Sequence, residues 1–172
     1  MLIPTLDTPR LRLEPPSAAC QAAYEAFFTD ASASLHYGGP ISRSHAQARL
    51  NSDVENWRRQ GFGVWALRLK DTQAIVGTCG FWQGAGWPRE LTWWLLPEAR
   101  GRGLAVEASR AALHHAYAAF AWREVHTYMN DNNPIARRLA LKLGGQFVHR
   151  AEFPDGLERD VFRLPPPAAD CR

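Results

Sequence analysis

Along the chain, short apolar runs of period two give way to longer stretches of helical period, and most changes fall at a proline, a glycine or a cap residue. Leu11-Arg12-Leu13 alternates cleanly and stops at Pro15-Pro16, so it reads as a first strand. Ser17 stands where a helix N-cap belongs, and Ala19, Ala22, Ala23, Ala26 and Phe27 carry that helix to about Thr29. The turn-rich segment His36-Tyr37-Gly38-Gly39-Pro40 reads as a connecting loop with two side chains able to meet a ligand. It leads to a second helix, capped by Ser42 or Ser44 and ended by Gly61. Residues 62–70 and 74–82 form a hairpin through Asp71-Thr72, and Gly77 and Gly80 in its second strand signal a bulge or a close approach of another backbone. Residues 90–96 make a strand closed by Pro97, residues 103–120 a helix, and residues 123–130 a strand. Asn133-Pro134 opens a last helix that Gly144 stops, and residues 145–153 and 157–164 close the chain as a hairpin around Pro154-Asp155-Gly156.

This order predicts a single α/β (α+β) domain over residues 1–164, built on a mixed, mostly antiparallel sheet of about seven strands with helices on both faces. The Pro/Ala-rich residues 165–172 read as a loose tail. At 172 residues, 46% of them hydrophobic, the chain is long enough to bury a sizeable core. The net charge of +3 comes from arginines spread along the sequence, not from a basic run, which argues against a nucleic-acid partner but suits a small polyanion. Cys20, Cys79 and Cys171 are too far apart to suggest a disulfide framework or a metal site and read as reduced thiols. Without a signal-peptide pattern or an apolar run of about 18 residues, the expectation is a soluble cytoplasmic protein with no membrane partner.

The chemistry concentrates at residues 90–108, a strand followed by Arg100-Gly101-Arg102-Gly103 and a helix start. No Ser, Thr, Asp or Asn caps that helix, although about four backbone N–H groups of a first turn lack partners. Glycines that let a ligand approach, with Arg100 and Arg102 adding charge, suit a phosphate or pyrophosphate there; the plainer reading is a surface turn whose amides meet water. A P-loop is excluded because Leu104-Ala105 follows Gly103 where Lys-Ser/Thr is required. A dinucleotide fingerprint is a weaker competitor. Val106 stands where its third glycine belongs, although Glu124 lies about twenty residues on.

The run Arg100-Gly101-Arg102-Gly103-Leu104-Ala105 resembles the Arg/Gln-x-x-Gly-x-Gly/Ala signature of the GNAT acetyltransferases, and Trp94-Leu95-Leu96-Pro97-Glu98 is similar to the strand end before it. Residues 133–144 resemble that family's Asn-x-x-Ser/Ala, helix and Leu-Gly pattern, and residues 6–15 resemble the opening of the branch that holds the ribosomal-protein N-terminal acetyltransferases, apart from Glu14. The resemblance implies acetyl-CoA as co-substrate, an amine acceptor (a peptide N-terminus or a small molecule), and in some relatives a homodimer. It assigns the pyrophosphate to Arg100, Gly101, Arg102, Gly103, Leu104 and Ala105, a cofactor contact to Asn133, and a bulged strand at Trp94 and Leu95 to the pantetheine and thioester.

Such a reaction needs a deprotonated amine, a held thioester and a donor to the developing oxyanion. The Leu95 region would supply the donor, and Glu90, opening the same strand, is the candidate base. The pattern departs from the family at the general acid. Ala136 stands where the ribosomal branch has a serine, and Ala140 where many GNAT enzymes have a tyrosine. Tyr128, Asn132 or water would then assist the leaving thiolate, or the chain is a catalytically silent acyl-CoA sensor. Trp82 and Trp87 read as core aromatics or as flanks of the acceptor site, and the histidines as structural.

Overall fold

A computed structural model describes residues 2–168. Cys171, and the part of the expected tail beyond residue 168, lie outside the described residues. The elements follow the predicted order: β1 (Leu6–Asp7), β2 (Leu11–Glu14), α1 (Gln21–Phe28), α2 (Arg43–Gln60), β3 (Val64–Leu69), β4 (Ile75–Trp82), β5 (Glu90–Leu95), α3 (Leu104–Ala118), β6 (Val125–Met129), α4 (Pro134–Lys142), β7 (Gln146–Glu152) and β8 (Glu158–Leu164). Local chemistry sets their ends. Ser42, not Ser44, caps α2 by accepting from the His45 N–H at 3.2 Å, and Gly61 closes that helix in the left-handed conformation, donating to the Trp57 carbonyl. Asn133 caps α4 by accepting from the Ala136 N–H at 3.1 Å, with Pro134 in its first turn.

The α/β class holds, but the strands among the described residues number eight and lie in two antiparallel sheets, β1-β2-β3-β4-β5 and β6-β8-β7, where one sheet of about seven was expected. No ladder among the described residues joins β5 to β6; the hydroxyl of Thr127 donates instead to the Leu91 carbonyl at 3.0 Å. The break leaves β5 with a free edge, and the candidate site forms there.

Helices cover both faces of the larger sheet. On one, Leu13, Leu67, Phe81 and Leu91 pack against Leu104, Ala108, Ala112 and Leu113 of α3. On the other, Ala66, Trp94 and Leu96 pack against Tyr24, Phe27 and Phe28 of α1 and Ala46 and Leu50 of α2. β5 is therefore buried on both sides, Leu91 and Leu95 facing one helical layer and Trp94 the other, as its near-continuous apolar sequence requires. Both readings of the β4 glycines hold. The β3–β4 register shifts beside Gly77, and a Cβ there would lie 2.1 Å from the Trp94 carbonyl oxygen, while one at Gly80 would lie 2.4 Å from that of Gly63. Glu14, the departure in the opening motif, forms a forked ion pair with Arg68 of β3 at 2.5–3.0 Å. No helix among the described residues is long and apolar enough to cross a membrane.

Candidate active site

Pairing along β5 decides which of its backbone groups are available. The Leu96 N–H donates to the Val76 carbonyl at 2.8 Å, and the register Thr78↔Trp94, Gly80↔Thr92 and Trp82↔Glu90 makes these the hydrogen-bonded pairs of an antiparallel ladder. The backbone groups of Leu91, Trp93 and Leu95 then face the free edge. Their carbonyls confirm the direction, since Leu91 accepts from Thr127, Trp93 from the Tyr37 hydroxyl and Leu95 from Arg100 Nε at 3.0 Å. The amides of Trp93 and Leu95 therefore face the free edge of the strand. Two expectations change as a result. Trp94 turns its backbone to β4 and its side chain into the α1 aromatic cluster, and the β4–β5 register runs without a bulge. A one-residue change of register exchanges the two edges of a strand, so the sequence pattern alone did not separate Trp93 from Trp94.

Beside this edge lies a cavity of about 840 Å³. Its walls come from α2 (His45, Arg49, Asp53), the loop before it (His36, Tyr37), β5 (Glu90, Trp93) and β6 with its C-terminal end (Tyr128, Asn130). Trp82 and Trp87 also line it, as the acceptor-flank reading allowed, and so do Asn133 and Ala136. Of the alternatives for assisting the thiolate, Tyr128 reaches the cavity, whereas Asn132 is exposed and absent from its lining. Ala140 is fully buried in the core. Arg159 arrives from β8, gripped by Asp155 at 2.6 Å and lying 5.2 Å over the Trp87 ring. Nothing in the local sequence around Asn130, Arg159 or the α2 residues marks them, because they converge from separate strands and a helix.

Burial sets the electrostatics. It pushes the Glu90 carboxyl up to about 8, with the Tyr128 hydroxyl and the Arg159 guanidinium opposing it in part. It also pushes Asp53 up to about 6 against the hydrogen bond it accepts from Tyr24 at 2.7 Å. The hydroxyls of Tyr37 and Tyr128 are raised well above their ordinary value by the same cause, and so stay protonated donors near neutrality. A carboxyl poised near 8 suits proton exchange with an amine of similar pKa.

The Arg/Gly turn lies outside the cavity, past the end of β5. Gly101 and Gly103 both take left-handed backbone, with φ of 74° and 77°, and nothing lies within 4 Å of a Cβ at Gly101. Gly103 sits at the N-cap of α3 without a side-chain cap, so the first amides of a 15-residue helix are free of one. Arg100 is held in place by backbone. It ties the Leu95 carbonyl to that of Ala33 at 3.0 Å each, and so holds the end of β5. Leu104 is core, and only its backbone faces the turn. Arg10, unmarked by sequence reasoning, donates to the Arg102 carbonyl at 2.7 Å and to Glu107 of α3 at 2.7 Å, bracing the turn from β2's side. Open amides at a helix start and a polar-walled cleft beside a free strand edge fit the phosphates and the amide-bearing arm of acetyl-CoA. Valine at Gly103 would force a branched residue into left-handed backbone. It is expected to cost about 1–3 kcal/mol in urea unfolding and to weaken acetyl-CoA binding measured by calorimetry.

Known proteins share this geometry. The acetyltransferase (GNAT) domain family matches residues 10–146. An acetyltransferase structure from Agrobacterium tumefaciens strain C58 is 30% identical, with 96% of each chain covered and a TM-score of 0.86. The Bacillus subtilis protein called the uncharacterized N-acetyltransferase YoaA is 25% identical over 149 residues, 84% of each chain. The ribosomal L7/L12 α-N-protein acetyltransferase RimL, solved with coenzyme A, shares the fold at a TM-score of 0.76 and 11% identity, over 96% of this chain and 100% of its own. The chain belongs to the GNAT acetyltransferase family, an acyltransferase fold with acetyl-CoA as co-substrate.

Proposed function

We propose that residues 1–164 form a single domain that transfers the acetyl group of acetyl-CoA to a primary amine, either a protein N-terminal α-amine or the amine of a small molecule, by direct attack. The observation that carries this reading is Glu90, shut into the cavity wall at the start of the strand whose free edge offers the Trp93 and Leu95 amides. Acetyl-CoA supplies an activated acyl carbon. Glu90 takes the proton that the nitrogen loses, and the edge amides donate to the carbonyl oxygen as charge gathers on it, a contribution of about 3 kcal/mol per donor in related oxyanion sites. The amides of residues 100–105 anchor the phosphates, and Asn133, whose Oδ1 is engaged as a cap, has its NH2 left for the pantetheine arm. The buried thiols of Cys20 and Cys79 and the use of acetyl-CoA support a cytoplasmic location. A branch relation to the ribosomal-protein enzymes is supported by the opening motif.

A catalytically silent acyl-CoA sensor is the second reading, favoured by Ala136 and Ala140, neither of which can protonate a thiolate. Thiol release from acetyl-CoA across a panel of peptide N-termini and small amines separates the two. Amine-dependent release supports transfer; tight binding of acetyl-CoA with no release above the enzyme-free rate supports the sensor.

A further inference from the structure

Arg159 stands where the strand pattern calls for an apolar side chain. It shares a face of β8 with Val161, lies against the Trp87 and Phe153 rings, and is 7% exposed. A cation in such a place costs desolvation, and an apolar side chain of similar size often serves a fold at least as well. Asp155, in the turn before β8, accounts for half of the guanidinium. Its carboxylate accepts from Nη1 at 2.8 Å and from Nη2 at 2.6 Å, the end-on fork, and the Leu157 carbonyl is a longer contact of Nη1 at 3.4 Å. The side fork, Nε with the second Nη2 N–H, meets no acceptor among the described residues, and Nε is not shut away from solvent. The space it opens on is the cavity, which Arg159 lines together with Trp87, Tyr128 and Glu90.

Glu90 does not fill that fork. It lies beyond ion-pair distance of Arg159, yet near enough for the guanidinium to act on the charge of its carboxyl. The cavity thus presents two neighbouring groups that are not joined to each other: a proton acceptor for an amine and an open cationic fork. An amine with a carboxylate on a neighbouring carbon matches both at once, whereas a bare alkylamine or a peptide N-terminus matches only the first.

We propose that the acceptor is a free amino acid, whose carboxylate takes the open fork of Arg159 while its amine is set against Glu90. The assignment rests on the acetyl-transfer reading above and narrows its acceptor. In the step, the neutral amine nitrogen bonds to the thioester carbon and the carbon–sulfur bond breaks with its electron pair on sulfur. One proton passes from nitrogen to Glu90 and ends on the sulfur of coenzyme A through water. The carboxylate of the acceptor keeps its charge and orients the nitrogen.

The test compares each common amino acid with its carboxamide and with the dipeptide that adds a C-terminal glycine, by thiol release from acetyl-CoA at pH 8. The amine of a carboxamide is the less basic and more of it is neutral, so reactivity alone favours the amide. For the best acceptor, wild-type kcat/KM is expected to be about tenfold or more higher for the acid than for the amide or the dipeptide, the worth of one charge-assisted pair. In Arg159→Gln the ratio falls to within about threefold of one, because the acid loses far more than the amide, and Arg159→Lys recovers part of it. A damaged fold or a disturbed Glu90 lowers both acceptors together and leaves the ratio standing. A ratio that survives in Arg159→Gln, or a wild type that takes amides or dipeptides as readily as acids, would overturn the assignment and leave acetyl transfer intact. Calorimetric titration of the same panel into protein saturated with coenzyme A asks the question without turnover, and the acid is expected to bind about tenfold or more tightly than the amide. A protein that prefers acids in binding but transfers to no amine would keep the site and refute the catalytic reading. Equal binding of acid and amide would refute the site.

Discussion

Replacing Glu90 with glutamine is expected to lower kcat/KM for amine acetylation by about 10²- to 10³-fold, the range of a lost general base, while acetyl-CoA affinity changes little. Glutamine keeps the volume and the polar contacts of the carboxyl, so the loss isolates proton transfer. The same variant should be the more stable protein near neutrality. Burial raises the Glu90 carboxyl from 4.5 to about 8, so between those values the folded protein holds a proton that the unfolded chain has already released. Stability is therefore lost as pH rises through that window, and glutamine escapes the loss. Thermal melts should coincide near pH 4.5 and separate in favour of Glu90→Gln by pH 8. A variant that is slower and also less stable at pH 8 would show that the carboxylate serves the fold.

The second large effect is on stability. Trp94 is 5% exposed, stacked on Phe27 with ring centroids 4.4 Å apart and edge-on to Tyr24 at 5.1 Å and Phe28 at 5.6 Å. Trp94→Ala removes the hub of that cluster and should cost about 3–5 kcal/mol in urea unfolding. Its consequence for function is indirect. Trp94 pins β5 to the α1 layer, and its two neighbours in sequence carry the amides of the free edge, so acetyl-CoA affinity should fall with stability. Trp94→Phe should recover most of both, because a ring of nearly the right size restores the packing. An alanine variant with full stability would mean that the α1 aromatics repack without it.

What the sequence made legible was local chemistry. Ser42 and Gly61, Asn133-Pro134 and the Pro154-Asp155-Gly156 turn each fixed the boundary of an element, because a cap or turn is decided by a few adjacent residues. The Arg/Gly turn was legible for the same reason, and so was Glu90, placed by its position at the head of a recognisable strand. What stayed hidden depends on pairing between distant strands. The break between β5 and β6 turns one expected sheet into two, and nothing in either strand's composition announces it. The edge assignment moved from Trp94 to Trp93 for that reason. Asn130, Arg159 and Arg10 gain their roles only because β6, β8 and the β1–β2 turn reach the cleft and the turn beside it. Arg100, read as ligand charge, also bonds two carbonyls and so holds the end of the strand in place, a contact that only the fold reveals.

In the proposed reaction the half-buried carboxyl of Glu90, pushed up to about 8 by its surroundings, takes the proton from the attacking amine. The most direct measurement of that transfer is kcat/KM against pH for a weakly basic amine acceptor, one with a pKa below about 6, so that the acceptor is neutral throughout and contributes no inflection of its own. If Glu90 is the base, kcat/KM rises about tenfold per pH unit below 8 and levels off above it, with the rise absent in Glu90→Gln. A profile that is flat from about pH 6 to pH 9, or one that keeps its inflection in the glutamine variant, would contradict that role.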